Sequence, residues 1–268
     1  MTSRNTYVPE YIFSYKGFSP TLHRLALLTG EKTSFKISRR FFDATIFCEL
    51  PGNNLLFTGG VDLNCWTKRD CWNLNVTKEF SVVNKAPMLS ARAGHCLVYF
   101  QGCVLAIGGL NTSKQIDNCE RYLCSDNRWE PFDPLPRACG LMCAAVIEEA
   151  NRVFVIGGSS FRGESYDFIQ RLRLDELTWD LLEVKLPVPK QKIASFKVDE
   201  ASIFVVLNKD LYEFKPGANS IVKLKQLSAY VEAYCGPNYF SNGVLYTSNT
   251  HGSPLQYSIG SLEIANAC

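Results

Sequence analysis

Three Gly-Gly pairs recur in this chain at a constant spacing. They occupy positions 59–60, 108–109 and 157–158, so that each pair begins 49 residues after the one before it. Each pair follows a short apolar run, and these runs are Leu55–Phe57, Val104–Ile107 and Val153–Ile156. A fixed period of about fifty residues, with an apolar run leading into each pair, indicates one supersecondary unit that is copied several times. This repetition constrains the fold more than any single residue does.

The copies also share an aromatic pattern after the glycines. Tyr122 lies seven residues before Trp129 in the second copy, and Trp179 occupies the matching place in the third. The first copy has Phe80 where the others have tryptophan. This order of apolar strand, diglycine, loop and tryptophan strand resembles the kelch repeat. The resemblance covers residues 41–187 and fades after them.

The resemblance implies an all-β fold, the kelch-type β-propeller, in which each copy forms a four-stranded antiparallel blade. In the second copy, the apolar runs and turn residues predict strands near 94–100, 103–107, 119–124 and 128–132. The chain is expected to leave the second strand with positive φ, where a Cβ would clash and glycine is favoured. One sheet cannot bury its apolar faces alone, so the blades must pack radially with the tryptophans between them.

We expect one propeller domain over residues 1–268, with six blades. The expected units are a partial N-terminal blade at 1–38, copies at about 41–88, 89–136 and 137–188, and degenerate C-terminal blades at about 189–228 and 229–264. The degenerate blades keep strand-like runs but have no diglycine. The alternatives are a ring of five blades or an open fragment of a longer protein.

Composition and charge narrow the class of protein. Apolar residues make up 46% of the chain and charged residues 20%, which is typical of a globular fold and not of a disordered one. The net charge of +2 includes no basic block, so nucleic acid is not an expected partner. The longest apolar run, Leu141–Ile147, is too short to span a bilayer, and the N-terminus has no signal-peptide pattern. We expect no membrane contact and a cytoplasmic location.

The chain contains eleven cysteines, which raises the question of disulfides or zinc. No Cys-x-x-Cys pair occurs, although such tight pairs are typical of zinc sites. Several cysteines lie in or beside predicted strands, where a free thiol packs as a small apolar group. We therefore expect buried free thiols in a reducing, intracellular compartment.

Catalysis by a protein of this class needs a metal or an acid/base pair on one face. The three histidines are His23, His95 and His251, and they belong to different units. A structural role is expected for His95, and hydrogen bonds between strands are expected for Asp117 and Glu120. We expect no enzyme activity, cofactor or metal. The alternative, which the resemblance supplies, is a small-molecule enzyme of the galactose-oxidase or specifier-protein type with a metal site on the propeller face.

Protein binding is the function that the resemblance favours, because a propeller presents loops from every blade on a rigid scaffold. The loops that follow the diglycines carry the aromatic and cationic residue types that anchor interfaces. The predicted binding residues are Trp66, Lys68, Arg69, Asn111, Lys114, Phe161 and Arg162. Arg92 and Arg137 match the kelch arginine, for which a structural contact between blades is expected. The predicted role is a protein-interaction module, either a substrate adaptor or a cytoskeletal scaffold, with an unknown protein as partner.

Overall fold

The computed structural model describes residues 10–77, 79–231, 233, 237–241, 244–248 and 254–258. These residues form 22 β-strands and one short 3-10 helix at Pro216–Ala218. The strands of the N-terminal half are β1 Tyr11–Tyr15, β2 Thr21–Ala26, β3 Lys32–Lys36, β4 Ile46–Leu50, β5 Asn54–Thr58, β6 Cys71–Asn75, β7 Ser81–Asn84, β8 Cys96–Phe100, β9 Cys103–Ile107, β10 Cys119–Leu123 and β11 Arg128–Phe132. The remaining strands are β12 Cys143–Ile147, β13 Arg152–Ile156, β14 Phe168–Arg173, β15 Thr178–Lys185, β16 Ala194–Lys197, β17 Ile203–Leu207, β18 Asp210–Lys215, β19 Ser220–Gln226, β20 Tyr239–Ser241, β21 Val244–Ser248 and β22 Pro254–Ser258.

The described strands pair into six antiparallel sheets, each built from strands that follow one another in sequence. The sheets β4–β7, β8–β11, β12–β15 and β16–β19 have four strands, whereas β1–β3 and β20–β22 have three. The predicted number of six blades is not confirmed: four sheets have the full four strands of a blade, whereas the two terminal sheets have three strands each and do not pair with one another.

The sheets pack face to face around a common axis, which confirms the predicted β-propeller. A separate apolar cluster fills the space between each pair of neighbouring sheets along the chain. A further cluster joins Ile12 and Leu25 of the first sheet to Tyr246 of the last, so the ring closes through side-chain packing. The first strands of the four-stranded sheets, β4, β8, β12 and β16, line a central cavity.

Trp129 and Trp179 lie between blades, as predicted, and each makes the same bond. The indole Nε1 of Trp129 donates to the carbonyl oxygen of Ala86 at 2.9 Å, and that of Trp179 donates to Asp133 at 2.9 Å. Both acceptors belong to the preceding repeat. Phe80 lies just before β7 and stacks on Phe35 of the first sheet, with ring centroids 3.9 Å apart. The three aromatic residues therefore join successive blades.

Gly109 shows why the diglycines are needed. Its φ is +112°, and an added Cβ would lie 2.9 Å from the carbonyl oxygen of Ala93, closer than real Cβ contacts come. Its N–H also donates to the carbonyl oxygen of Cys139 at 2.8 Å, at the start of the next sheet. The expected positive φ and steric restriction are confirmed. The N–H of the second glycine also bonds its own blade to the linker segment of the next one.

The β16–β19 sheet explains why its copy has no diglycine. Only Asn208 and Lys209 connect β17 to β18, so this sheet has no loop at the place where the others have one. Asn208 adopts a φ of +59°, which asparagine tolerates better than most residues. His251 lies outside the described residues.

Candidate functional site

Three loops follow the diglycines and lie on one face of the propeller. We call residues 61–67, 110–115 and 159–165 the diglycine loops, and residues 37–45, 85–95, 133–142 and 186–193, which connect successive sheets, the linker segments. Each diglycine loop is bridged to the linker segment that leads into its own sheet, through the pairs Asp43–Val61, Ala93–Leu110 and Gly140–Ser159. The diglycine loops and linker segments therefore form one surface, the loop face.

Each diglycine loop is a small hairpin with its own brace. The loops close through backbone bridges between Val61 and Thr67, Leu110 and Gln115, and Ser159 and Ser165. The brace is a polar side chain three positions after the first glycine, which accepts hydrogen bonds from backbone N–H groups further along the loop. The braces are Asp62, Asn111 and Ser160.

The first loop has the strongest brace. Asp62 Oδ1 accepts from the N–H groups of Asn64 and Trp66 at 3.0 and 2.9 Å, and Oδ2 pairs with Lys68 Nζ at 2.5 Å. The hydrogen bond from Lys68, followed by the Trp66 N–H, lowers the pKa of Asp62. An ionised carboxylate thus fixes the backbone of the Trp66 residue at neutral pH.

Side chains join the three loops to one another. Thr67 donates its N–H to Thr112 Oγ1 at 3.3 Å, and the two hydroxyl oxygens are 3.1 Å apart. Gln115 Oε1 accepts from the N–H of Phe161 at 3.0 Å. The loops of three successive blades therefore form one continuous, laterally bonded arc. A cavity of about 340 Å³ lies between the first two loops, lined by Thr67, Ser90, Ala91, Asn111, Thr112, Ser113, Lys114, Ile116 and Asn118.

The predicted binding residues divide into two groups. Five side chains are exposed and available to a partner: Trp66, Arg69, Lys114, Phe161 and Arg162. Trp66 is 60% exposed and Phe161 47%, which is high for large apolar side chains. Lys68 is half-buried because it pairs with Asp62, and Asn111 is half-buried because it accepts hydrogen bonds from its own loop. These two residues hold the loops in place.

Other exposed apolar residues of this face were not predicted, among them Leu63 and Tyr230. Leu63 lies at the tip of the first loop and is 76% exposed. Tyr230 follows β19 and is 65% exposed, with the ammonium of Lys209 lying 4.9 Å from its ring centroid. Tyr230 extends the aromatic residues of the loop face past the blade that has no diglycine loop. No repeat signal marks it, because the copy is degenerate there.

Arg92 is structural, but its guanidinium bonds within its own blade and not between blades as predicted, in a buried network with Glu120. The guanidinium is fully buried and donates to Glu120 Oε1 at 2.5 Å and to the carbonyl oxygens of Gly108 and Asn118 at 2.9 and 2.7 Å. Glu120 also accepts from the N–H groups of Leu89 and Ser90 at 2.7 and 2.8 Å. The pair joins the linker segment 85–95 to β10 of its own blade. Asp117 is exposed.

The prediction that Arg137 matches Arg92 was wrong. Arg137 is exposed, and its guanidinium lies 5.5 Å from the ring centroid of Phe168. The residue equivalent to Arg92 is Cys139, because its carbonyl oxygen accepts from Gly109 as that of Arg92 accepts from Gly60. The sulfur of Cys139 accepts from Gln170, so a neutral pair replaces the ion pair in the third repeat.

His95 lines the central cavity, which has a volume of about 450 Å³. The side chain is 3% exposed, and its Nε2 lies 2.8 Å from Thr58 Oγ1. Burial, with a contribution from the charge of Arg92, lowers the pKa of His95 well below its usual range. A neutral imidazole that bonds to the neighbouring blade fits the expected structural role. His23 lies on the first sheet, where its Nδ1 is 2.8 Å from Ser34 Oγ.

The cysteines of the described residues are free thiols. Cys96, Cys119 and Cys143 are buried, and burial raises the pKa of Cys119 and Cys143 to about 12. These thiols pack as small apolar groups, as predicted for strand positions. Within the described part of the chain, no three side chains of the His, Cys, Asp or Glu types come close enough together to hold a metal ion. No helix in that part is long and apolar enough to cross a membrane.

Comparison with known proteins places the repeat signal on one of these blades. The family model for the Kelch motif matches residues 91–136, which contain the β8–β11 sheet. The chain is 29% identical to Kelch-like protein 35 of Mus musculus over 71% of its own length and 32% of the relative. It is 33% identical to Kelch-like protein 23 of Mus musculus over 41% of its length and 19% of that relative.

A third relative agrees with the first two. Kelch-like protein 23 of Homo sapiens is 29% identical over 54% of this chain and 26% of the relative. The chain therefore spans about a third or less of the length of these curated relatives.

Proposed function

Because this chain is a kelch-repeat protein, we propose that it is a non-enzymatic protein-interaction module that binds its partner on the loop face. The observation that carries the proposal is the laterally bonded arc of diglycine loops. Interfaces gain affinity when the contact surface is already ordered, since less conformational entropy is lost on binding. The bonds between Thr67 and Thr112 and between Phe161 and Gln115 supply that order.

The exposed residues on the arc support the same function. Trp66, Phe161 and Tyr230 are large and aromatic, and Arg69 and Arg162 are exposed. Tryptophan, tyrosine and arginine are the residue types enriched among the side chains that contribute most to protein interfaces. An exposed tryptophan is otherwise uncommon, since its burial stabilises a fold.

The role of the module in a larger assembly is either that of a substrate adaptor or that of a scaffold, and a bound protein on the loop face serves both. We further propose an intracellular, reducing location. The free thiols of the described residues support it, because disulfides are common in oxidising compartments.

Affinity capture tests the proposal. The chain and the variant Trp66→Ala/Arg69→Ala/Arg162→Ala are each used to capture proteins from a cell extract, and the captured proteins are quantified by mass spectrometry. The control variant Asn53→Ala/Gln101→Ala/Ala150→Ser changes three residues in turns at the opposite ends of the strands. Proteins that the wild type and the control retain should be lost from the loop variant. Equal capture by the loop variant would show that the loop face is not the binding surface.

A further inference from the structure

The central cavity plays no part in the proposed function, although it has the size of a ligand site. Its volume of about 450 Å³ falls within the range of small-molecule pockets, about 300–1,000 Å³. The strands that line it, β4, β8, β12 and β16, are each the edge strand of their sheet. Alternate backbone N–H and C=O groups of an edge strand have no partner within the sheet, so polar backbone borders the cavity as well as side chains. The cavity therefore suits a molecule that has both polar and apolar parts.

One end of the cavity carries a carboxyl group without a counter-ion. Glu49 on β4 and Tyr99 on β8 line the cavity next to the turns 51–53 and 101–102, and we call this the turn end. Glu49 is half-buried and forms no ion pair within the described part of the chain. Burial raises the pKa of Glu49, and a hydrogen bond from Tyr239, which also lines the cavity, opposes that rise. The carboxyl group would therefore be stabilised in its ionised form by a bound cation.

The other charges at the turn end do not supply that cation. Lys197 of β16 lines the cavity, but its ammonium group pairs with Glu149 in the neighbouring turn. Glu148 also lines the cavity and adds a second acid. The two lining acids and Glu149 therefore outnumber the one lysine, and the turn end is negative.

Aromatic rings line the same cavity. They belong to Phe47, Tyr99, Phe196 and Tyr239. A cation near the face of an aromatic ring is attracted by the ring quadrupole, and the attraction is stronger where water is excluded. A carboxyl group together with several aromatic rings is a combination that suits an ammonium group on a carbon chain, because the rings also provide apolar surface for the chain.

The opposite end of the cavity, the loop end, has different chemistry. His95 is buried there, and its Nδ1 has no hydrogen-bond partner among the described residues, since only Nε2 lies close to Thr58 Oγ1. Buried polar atoms are nearly always paired, so this atom is expected to meet a water molecule or a polar group of a ligand. Lys192 also lines the loop end, and its positive charge disfavours a second cation. Four strand positions separate His95 from Tyr99, which is a rise of about 13 Å at about 3.3 Å per residue.

We propose that the central cavity binds an elongated organic cation, with its ammonium group at Glu49 and the rest of the molecule extending towards His95. The ammonium group donates hydrogen bonds to the carboxylate, and the aromatic rings pack against the carbon chain. An uncharged polar group at the far end of the molecule meets the unpaired nitrogen of His95. This site goes beyond the proposed function, because none of the predicted binding residues lines the cavity.

An organic cation fits the cavity better than a metal ion does. Metal ions are held by several oxygen, nitrogen or sulfur ligands at short distances. Within the described part of the chain, no three side chains of the ligand types come close enough together to provide them. One carboxyl group and several rings are sufficient for an ammonium group, which needs fewer charged partners.

Three six-carbon ligands that differ only in one end group test the inference. They are aminohexanol, which is a cation at neutral pH, hexanediol, which is neutral, and hydroxyhexanoate, which is an anion, each titrated into the full chain by isothermal titration calorimetry. We expect aminohexanol to bind at least about tenfold more tightly than the other two, because hydrogen bonds between charged groups are stronger than those between neutral groups. Magnesium chloride, compared with sodium chloride at the same ionic strength, should not displace it. Equal affinity of the three ligands, or displacement by magnesium, would overturn the inference.

Two neutralising variants locate the site. Glu49→Gln removes the charge in the cavity, and Glu183→Gln makes the same change in net charge on β15, where the side chain is exposed. Glu49→Gln should lose about tenfold in affinity for aminohexanol and keep the wild-type affinity for hexanediol, whereas Glu183→Gln should keep both. An unchanged affinity in Glu49→Gln, or an equal loss in the two variants, would show that the cation does not bind at Glu49, and the inference would be wrong. Circular dichroism checks that each variant is folded, and if Glu49→Gln does not fold, the comparison of the three ligands on the wild type still decides.

Discussion

The buried pair of Arg92 and Glu120 gives a sharp prediction about stability. Glu120→Ala leaves the guanidinium of Arg92 buried without its counter-ion and removes the acceptor of the Leu89 and Ser90 N–H groups. Breaking a buried ion pair by removing one partner typically costs about 3–5 kcal/mol. We expect the apparent free energy of unfolding to fall by about that amount.

The next repeat supplies the matched control. It places Cys139 and Gln170 at the equivalent positions, and Gln170 Oε1 accepts from the N–H of Arg137 at 2.8 Å, as Glu120 accepts from Ser90. The double variant Arg92→Cys/Glu120→Gln copies this neutral pair. Replacing a buried ion pair by a well-packed neutral group is often close to neutral, so we expect a loss of less than about 2 kcal/mol.

Urea unfolding followed by tryptophan fluorescence measures both variants, with circular dichroism as a second signal to check that the transitions coincide. The order of stability should be wild type, double variant, then Glu120→Ala. If the double variant is less stable than Glu120→Ala, the third repeat is not a valid guide to the second. If Glu120→Ala loses less than about 1 kcal/mol, the pair is not buried as the structure describes.

Three further predictions follow from the described contacts. Gly109→Ala should lower the free energy of unfolding by about 2–3 kcal/mol more than Gly163→Ala does in the same urea assay. Both glycines have positive φ, but only a Cβ added at position 109 meets neighbouring backbone atoms. Equal losses in the two variants would contradict this. The pKa of His95 is lowered in the folded state, so the stability of the wild type should fall as pH drops below about 6.5, where the unfolded histidine binds a proton. His95→Gln should flatten this part of the curve of unfolding midpoint against pH. An unchanged slope would mean that His95 does not titrate on unfolding. Trp129→Ala should cost about 3–5 kcal/mol and Trp179→Ala less, because only the first indole is buried; the reverse order in thermal unfolding would contradict the described burial.

The propeller was predictable from sequence because its packing restricts which amino acid can stand at particular single positions. The diglycine at 108–109 must pass a neighbouring backbone, and Trp129 must fill the space between blades, so both persist at a fixed spacing. Tyr122 lies seven residues before Trp129 because the two face each other across β10 and β11. The terminal sheets carry no such residues, so the sequence left the number of blades open.

The error at Arg137 shows the limit of matching residue types. Met88 and Leu135 are equivalent, since the N–H of each donates to the carbonyl oxygen of the residue two positions before a strand, Arg69 before β6 and Asp117 before β10. The fourth residue after each is Arg92 in one repeat and Cys139 in the other. Counting from these buried apolar residues would have found Cys139, whereas the search for an arginine found Arg137.

The candidate site was predictable in its location but not in its organisation. The position of the diglycines indicated which loops share a face, and Trp66 and Phe161 are exposed there. The braces and the bonds between loops depend on how neighbouring blades are placed, as the contact of Thr67 with Thr112 shows. Such contacts between residues 45 positions apart leave no local pattern in the sequence.

Site-specific photo-crosslinking tests most directly whether the loop face is the surface that meets a partner. A photoreactive phenylalanine analogue replaces Trp66 or Phe161 on the loop face, and Asn53 or Gln101 in the β4–β5 and β8–β9 turns at the opposite ends of the strands. The crosslinked products formed in cells are then identified. We predict that the two loop-face positions crosslink to the same protein and that the two turn positions do not. Crosslinks to a shared protein from the turn positions alone would contradict the account.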